Sequence, residues 1–451
     1  MLQSPTITII GGGLAGSEAA WQAACRGARV TLYEMRPQVT SPAHHTSLLA
    51  ELVCSNSLGS TQPDKAPGLL KSELRALDSL ILRCAEANAV PAGGALAVDR
   101  EGFAQAVTRA VTGHPNIQVI RQELPAIPRE SVVICATGPL SSDALAADIA
   151  SMAGQDALSF YDAMAPIVAL GSIDQAKTFR ATRYNQGEAD YINCPLTNEQ
   201  YTDFIRALVS AGTNPLRDFE REDRRFFEAC LPVEVLAARG HLALAYGPLR
   251  PTGLRDPRTG HRPFAVVQLR QDNLAGSLYN LVGFQTNLLW PEQKRVFGMI
   301  PGLEHAEWVR YGQMHRNTFI NSPELLLPTL QWRSRPDLFF AGQISGTEGY
   351  MGSTASGLLA GINAARLWQG RQPVAPPPTT MLGALLHYVA TSTAKPFQPM
   401  KANLGLLPLP AEGVGDHHAR IRELISRASR DLTAWMLEEA VLDERCANDI
   451  L

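Results

Sequence analysis

No apolar run in the 451-residue chain approaches the roughly 18 to 20 residues that a membrane-spanning helix needs, which argues against a membrane protein. Cysteine is sparse and scattered. Cys25, Cys54, Cys84, Cys135, Cys194, Cys230 and Cys446 form no Cys-x-x-Cys, and no two are closer than 29 residues. An odd number at such spacing argues against a disulfide scaffold or a clustered metal site and suits a reducing, cytoplasmic setting. The ten histidines form no His-Glu-x-x-His, so no metal is expected. The first residues lack a basic stretch, and the apolar segment that follows meets glycine at Gly11, so it reads as a strand and not a secretory leader. A net charge of −3 excludes a globally basic nucleic-acid binder, and any such surface must be local. There is no internal repeat. With 45% apolar and 18% charged residues, the composition is that of an ordinary globular protein of two or three domains.

What is present begins with Thr6-Ile-Thr-Ile-Ile-Gly11-Gly-Gly13-Leu-Ala-Gly16, a β-branched strand running into Gly-x-Gly-x-x-Gly and then a helix. In such a motif the first glycine permits a tight turn, the second admits a pyrophosphate to the backbone, and the third lets helix and strand approach. The helix N-terminus then faces the phosphate. A second strand, Arg29 to Glu34, ends in an acid about 20 residues past the motif, where ribose hydroxyls are usually held. Strand, helix, second strand and acid together predict dinucleotide binding.

Two later segments favour FAD over NAD. Val132 to Gly138 reads as a buried strand ending in Ala-Thr-Gly, a pattern of flavoproteins of the glutathione reductase type. Asp337 to Gly342 reads as another strand, leading through Gly342, Gly346, Gly349 and Gly352 to a helix over Ser353 to Arg366. Gly357 and Gly361 inside that helix suit close packing. Glycines before a helix let backbone N–H groups close on a planar, partly anionic ligand. The expected fold is therefore α/β: a Rossmann-like FAD-binding domain, discontinuous in sequence (residues 1–158 and 335–451), with an inserted α+β substrate domain at 159–334. Further expectations are a helix from Leu69 to Ala87, a helix from Glu199 to Ser210, a strand from Phe264 to Leu269, and a terminal helical pair over residues 411–445.

These motifs resemble those of the folate- and FAD-dependent tRNA (uracil-5-)-methyltransferases. The likeness runs nearly end to end. It is carried by Gly11 to Trp21, Tyr33-Glu-Met-Arg-Pro37, Glu51-Leu-Val-Cys-Ser-Asn-Ser57, Pro91 to Arg100, Tyr191 to Leu196, Phe227 to Glu234, Tyr246 to Leu254, Tyr311 to Phe319 and the glycine run Gly342 to Gly357. The resemblance implies that the T-loop uridine at tRNA position 54 is methylated at C5. Methylenetetrahydrofolate would give the carbon and NAD(P)H the electrons, with FAD as hydride carrier. The cofactor residues expected are Gly11, Gly12, Gly13, Leu14, Ala15, Gly16, Glu34, Arg36, Thr137, Gly138, Gly342, Gln343, Gly352 and Ser353. It leaves the oligomeric state open, a monomer included.

Uracil C5 is a poor nucleophile, and a thiolate adding at C6 converts it into an enolate. An unperturbed thiol is only a few per cent ionised at neutral pH, so the attacking cysteine should sit near positive charge or a helix N-terminus. Cys25 and Cys135 read as packing residues, Cys84 as helix and Cys446 as tail. The resemblance points to Cys54, in a turn-rich segment, and Cys230, preceded by Arg224 and Arg225, without deciding which attacks. Cys194 is the runner-up, with packing its more ordinary role.

For RNA, residues 250–270 hold Arg250, Arg255, Arg258, Arg262 and Arg270 against one acid, Asp256. Basic residues among aromatics suit phosphate contact and base stacking, although a solvated face with ion pairs is the plainer alternative. Trp290 and Tyr350 are candidates to stack a pterin on the flavin. Two competing readings are a plain FAD oxidoreductase, or a relative of the flavoprotein that modifies the wobble uridine of tRNA; a flavin-stabilised RNA-binding protein without catalysis is a third.

Overall fold

A computed structural model describes residues 6–441 apart from 42, 155–157, 164, 186–187, 215–230, 313, 396 and 410–415. Two six-stranded sheets organise the chain. The first runs in the order Gln331–Trp332, Arg335–Phe340, Val133–Cys135, Thr6–Ile10, Arg29–Glu34, Ile117–Arg121. All its neighbours are parallel except the outermost pair, Gln331–Trp332 with Arg335–Phe340. Thr6–Ile10 is central, and the chain leaves it to one side for Arg29–Glu34 and later fills the other side with Val133–Cys135. In an open α/β sheet that reversal leaves a crevice beyond the strand ends, the usual place for a ligand. Ile7 and Ile9 are fully buried, as a strand covered on both faces requires.

Two helices cross this sheet in close contact, Leu14–Cys25 and Tyr350–Trp368. Their approach depends on missing side chains: a Cβ at Gly357 would lie 2.2 Å from the Ala15 carbonyl oxygen, and one at Gly361 would lie 2.5 Å from that of Ala19. The observed second helix begins three residues earlier than the sequence suggests, because Gly349, in a left-handed conformation (φ 82°), turns the chain directly into it.

The second sheet is antiparallel, in the order Phe179–Arg180, Tyr191–Leu196, Ala265–Gln271, Leu278–Leu281, Ile167–Ala169, Trp308–Arg310. Its own core, including Tyr201, Phe204, Phe284 and Phe297, is separate from that of the first sheet. A two-stranded ribbon, Leu158–Ala163 with Met314–Phe319, carries the chain between the sheets. Gln331–Trp332, which the sequence reading counts with the insert, is hydrogen-bonded into the first sheet.

The single helix expected from Leu69 to Ala87 is two, Ala66–Ala76 and Leu80–Ala87. Asp78 takes a positive φ (55°), and Ser79 caps the second helix through Leu82 N–H. The buried Glu18 accepts from the Ser79 hydroxyl and the Ile81 N–H, so a carboxylate from the first helix holds the break open. The helix expected at Glu199 spans Asn198–Val209 with a capping box from Thr197 and Gln200. In place of a terminal pair there is one described helix, His417–Glu438. Among the described residues, no helix is long and apolar enough to cross a membrane.

Candidate functional site

A cleft opens at the ends of the central strands. It is lined by Gly11, Gly12, Gly13, Leu14 and Ala15 from the first turn, Glu34 and Arg36 from the second strand end, Thr137 and Gly138, and Gly342, Gln343, Tyr350 and Ser353. Segments more than 300 residues apart in sequence thus converge on one opening. Gly16 and Gly352 are not in the lining; a Cβ at Gly16 would strike the Gly11 carbonyl oxygen at 1.8 Å, and Gly352 packs beside Leu385.

The residues fit a dinucleotide. Gly11 has a φ of +99°, and a Cβ there would lie 2.6 Å from the Ala136 carbonyl oxygen, so only glycine makes this turn. Gly13 differs: its φ is −72°, and no described heavy atom lies within 4 Å of where a Cβ would stand. It caps a helix whose first turn has no side-chain cap among the described residues, leaving amide donors for an anion at an open spot.

Glu34 does more than await a ribose. Its carboxylate accepts from Gly12 N–H (2.9 Å) and from the Arg36 backbone N–H and Nε (3.0 and 2.9 Å). Burial opposes its ionisation, but the Arg36 hydrogen bond and charge outweigh that and hold the carboxyl below its ordinary range. Arg36, 2% exposed, also reaches Glu51 (3.1 Å), which ties the loop after the second strand to the segment leading into Cys54. The Thr137 and Ser141 hydroxyls meet at 2.6 Å, and Gln343 donates to Glu348 (2.8 Å).

Cys54 is one residue beyond the cleft-lining Val53. Its N–H donates to the Tyr350 hydroxyl oxygen (2.8 Å), and its carbonyl accepts from Arg100 Nη2 (2.9 Å). Arg100 also donates to the Leu52 carbonyl (2.7 Å) and is paired through Nε with Asp272 (2.9 Å), just past a strand of the second sheet. Asn56, fully buried, accepts from Arg270 Nε (3.0 Å) and donates to the carbonyls of Val98 and Gln271. Both Arg100 and Arg270 interact electrostatically with Cys54. This partly exposed cysteine therefore stands at the seam of the two sheets, with the Arg100 guanidinium on its carbonyl.

The other cysteines differ. Cys194 is fully buried in the second core, and burial pushes its thiol far up; Cys135 is pushed up to about 12 and Cys84 to about 11 by the same cause. Cys230 and Cys446 lie outside the described residues.

Of the expected RNA-contacting arginines, Arg250 and Arg255 are exposed, and Arg262 is exposed with Nη2 on the Thr252 hydroxyl (3.0 Å). Arg258 is engaged internally: it grips the buried Asp256 with Nε and Nη2 (3.0 and 2.7 Å) and donates to the Ala176 carbonyl. Arg270 is buried at the seam. Trp290 lies outside the cleft lining, stacked on Tyr311, whereas Tyr350 lines the cleft.

Sequence reasoning assigned no role to Arg100, Asn56, Asp272 or Glu51. Three of them stand inside the quoted motifs, at the ends of Pro91–Arg100 and in Glu51–Ser57. The partners of Arg100, Asn56 and Asp272 lie far away in sequence, so nothing local reveals those contacts.

A family model described as glucose inhibited division protein A matches residues 6–372. The chain is 58% identical over 429 residues to the methylenetetrahydrofolate–tRNA-(uracil-5-)-methyltransferase TrmFO of Thermosynechococcus vestitus, across 95% of this chain and 94% of that protein. It is 57% identical over 423 residues to the protein of the same name from Pelotomaculum thermopropionicum, across 94% and 96%. Among solved structures it is similar to Aquifex aeolicus GidA in its form II crystal, with a TM-score of 0.69 and 16% identity over 99% of this chain and 75% of that one. At that identity the likeness concerns the fold.

Proposed function

The chain belongs to the glucose inhibited division protein A family and, within it, to the methylenetetrahydrofolate–tRNA-(uracil-5-)-methyltransferases; from that premise we propose a division of labour among its residues. It is a folate-dependent enzyme that methylates uracil C5 in tRNA, built on an FAD-binding fold. Identity of 58% to a protein of that name over nearly the whole chain supports this activity over wobble-uridine modification. The T-loop uridine at position 54 is the base we assign as the target, and a reduced nicotinamide the source of electrons in a cytoplasmic reaction.

The cleft residues hold FAD: the Gly11–Ala15 turn its pyrophosphate, Glu34 its ribose, and Gly342, Gln343 and Ser353 its ring. FAD, when bound, supplies hydride transfer; the remaining work falls to the chain. Cys54 and Cys230 divide two tasks at the uracil, one thiolate adding at C6 and the other group trading the C5 proton. Arg100 holds the Cys54 carbonyl, and Tyr350 fixes its backbone N–H at the cleft rim. The observation that carries this reading is the Cys54 N–H to Tyr350 hydroxyl bond, because Tyr350 itself lines the cofactor cleft. The test is incubation of the purified protein with unmodified tRNA, methylenetetrahydrofolate and NADPH, followed by nucleoside analysis. Ribothymidine that depends on all three is the expected product. Flavin turnover without RNA or folate would favour a plain oxidoreductase.

A further inference from the structure

Trp290 opens the helix Trp290–Phe297 and is 57% exposed, yet its ring is held in a fixed arrangement. It stacks on Tyr311 with centroids 5.5 Å apart and planes 14° from parallel; Tyr311 in turn lies 6.4 Å from Trp308 at 20°. Trp308 rests on the buried Phe297 at 5.9 Å. Three rings thus form a ladder from the second core to solvent. An indole serving only as a core anchor would be covered, and this one is the outermost rung.

The ladder is pinned by a buried amide. Gln293, fully buried one turn along from Trp290, donates to the Gly312 carbonyl (2.8 Å) and accepts from the Gly312 N–H (2.7 Å). That reciprocal pair fastens the backbone next to Tyr311 to the helix bearing Trp290. Charge accompanies the rings. Lys294 is exposed and, four residues after Trp290, shares its helix face. Arg310, adjacent to Tyr311, interacts electrostatically with Arg100, Asp272, Glu51 and Tyr350, the groups around Cys54. The exposed rung of the ladder therefore has a cation on its own helix face and another next to Tyr311 in sequence.

We propose that the Trp290–Tyr311–Trp308 ladder is a stacking platform for an unpaired base of the RNA substrate. Rings with near-parallel planes, one exposed rung and adjoining cations match a base and its phosphate. The inference rests on the methyltransferase reading above.

The experiment compares Trp290→Ala, Trp290→Phe and Lys294→Gln with the wild type, using an unmodified tRNA transcript. Loss of one stacking contact should weaken tRNA binding and raise its KM roughly tenfold, with a much smaller effect on kcat, and phenylalanine should restore most of it. Lys294→Gln should reduce the salt dependence of binding. Indole emission present in the wild type and absent from Trp290→Phe should be quenched by tRNA, a readout that does not require the alanine variant to fold. Wild-type KM and affinity in Trp290→Ala, or emission indifferent to tRNA, would overturn the platform. So would a rise in KM confined to methylenetetrahydrofolate, which would make the ring a pterin contact. A wild type that makes no ribothymidine defeats the parent reading; methylation indifferent to Trp290 defeats only the platform.

Discussion

The backbone N–H of Cys54 and the hydroxyl of Tyr350 meet at 2.8 Å, joining the first residues of a C-terminal helix to a turn some three hundred residues earlier. The bond is backbone to side chain, so it positions Cys54 without occupying its sulfur. Replacing Tyr350 by phenylalanine should leave the fold and flavin content intact and lower kcat for tRNA methylation by about tenfold, the effect of losing one positioning hydrogen bond. A steady-state comparison with matched flavin content checks it; an unchanged kcat would remove Tyr350 from any positioning role.

Three cysteines should separate by what their loss does. Cys54→Ala and Cys230→Ala should bind FAD and abolish methylation, since no alanine adds to uracil C6. Cys194→Ala should cost about 1 kcal/mol of stability and retain activity, as expected for a thiol sealed in a core. With a 5-fluorouridine tRNA, which stalls the covalent adduct, only the attacking cysteine's variant should fail to form it on a denaturing gel. Wild-type methylation by both Cys54→Ala and Cys230→Ala would contradict the assignment.

Gly13→Val is expected to fold normally and purify colourless. The backbone there is one any residue adopts, and a Cβ would meet no described atom within 4 Å, so the added bulk should fill the place of the pyrophosphate rather than strain the turn. Circular dichroism and the visible spectrum together decide. A yellow Gly13→Val protein would move the phosphate elsewhere.

Among the arginines, Arg250→Glu with Arg255→Glu should weaken tRNA binding and shallow its logarithmic salt dependence by somewhat under one unit per lost contact, with the flavin spectrum unchanged. Arg258→Ala should instead lower the melting temperature, since it strips the buried Asp256 of its partner. Salt titrations of binding, run beside thermal melts, would expose an exchange of these roles.

His44, lining the cleft, is held down to about 4 by burial first and by the Arg36 charge second. Unfolded, it takes a proton near 6.5; folded, it resists until about 4. Its contribution to stability is thus complete above about pH 6.5, declines as pH falls towards 4, and is flat below that. Thermal melts between pH 7.5 and 4.5 should show a steeper fall for the wild type than for His44→Asn. Parallel profiles would assign the loss to other groups.

The strand–turn–helix at Thr6 to Cys25 was legible because every part of its signal is local: β-branched residues, three glycines at fixed spacing, then alanines. The break at Asp78 was not, because the apolar spacing from Leu69 to Ala87 continues through it and the carboxylate that stabilises it comes from Glu18. The same limit governs the site. Cys54 stood out in its motif, but the guanidinium of Arg100, its link to Asp272 and the stacking of Trp290 on Tyr311 are tertiary facts, invisible to spacing. Arg258 shows the converse: a basic residue in a basic stretch, already claimed by an acid two positions before it.

The contact of Gly357 and Gly361 with Ala15 and Ala19 has a consequence for synthesis. A ribosome delivers the phosphate turn first and the helix that closes the same cleft more than three hundred residues later. Until that second helix emerges, the first lacks the surface against which its small residues are shaped, and the cleft lacks one of its walls. The cleft is therefore closed late, only after Tyr350–Trp368 has emerged and the long connection between the two helices has been drawn together.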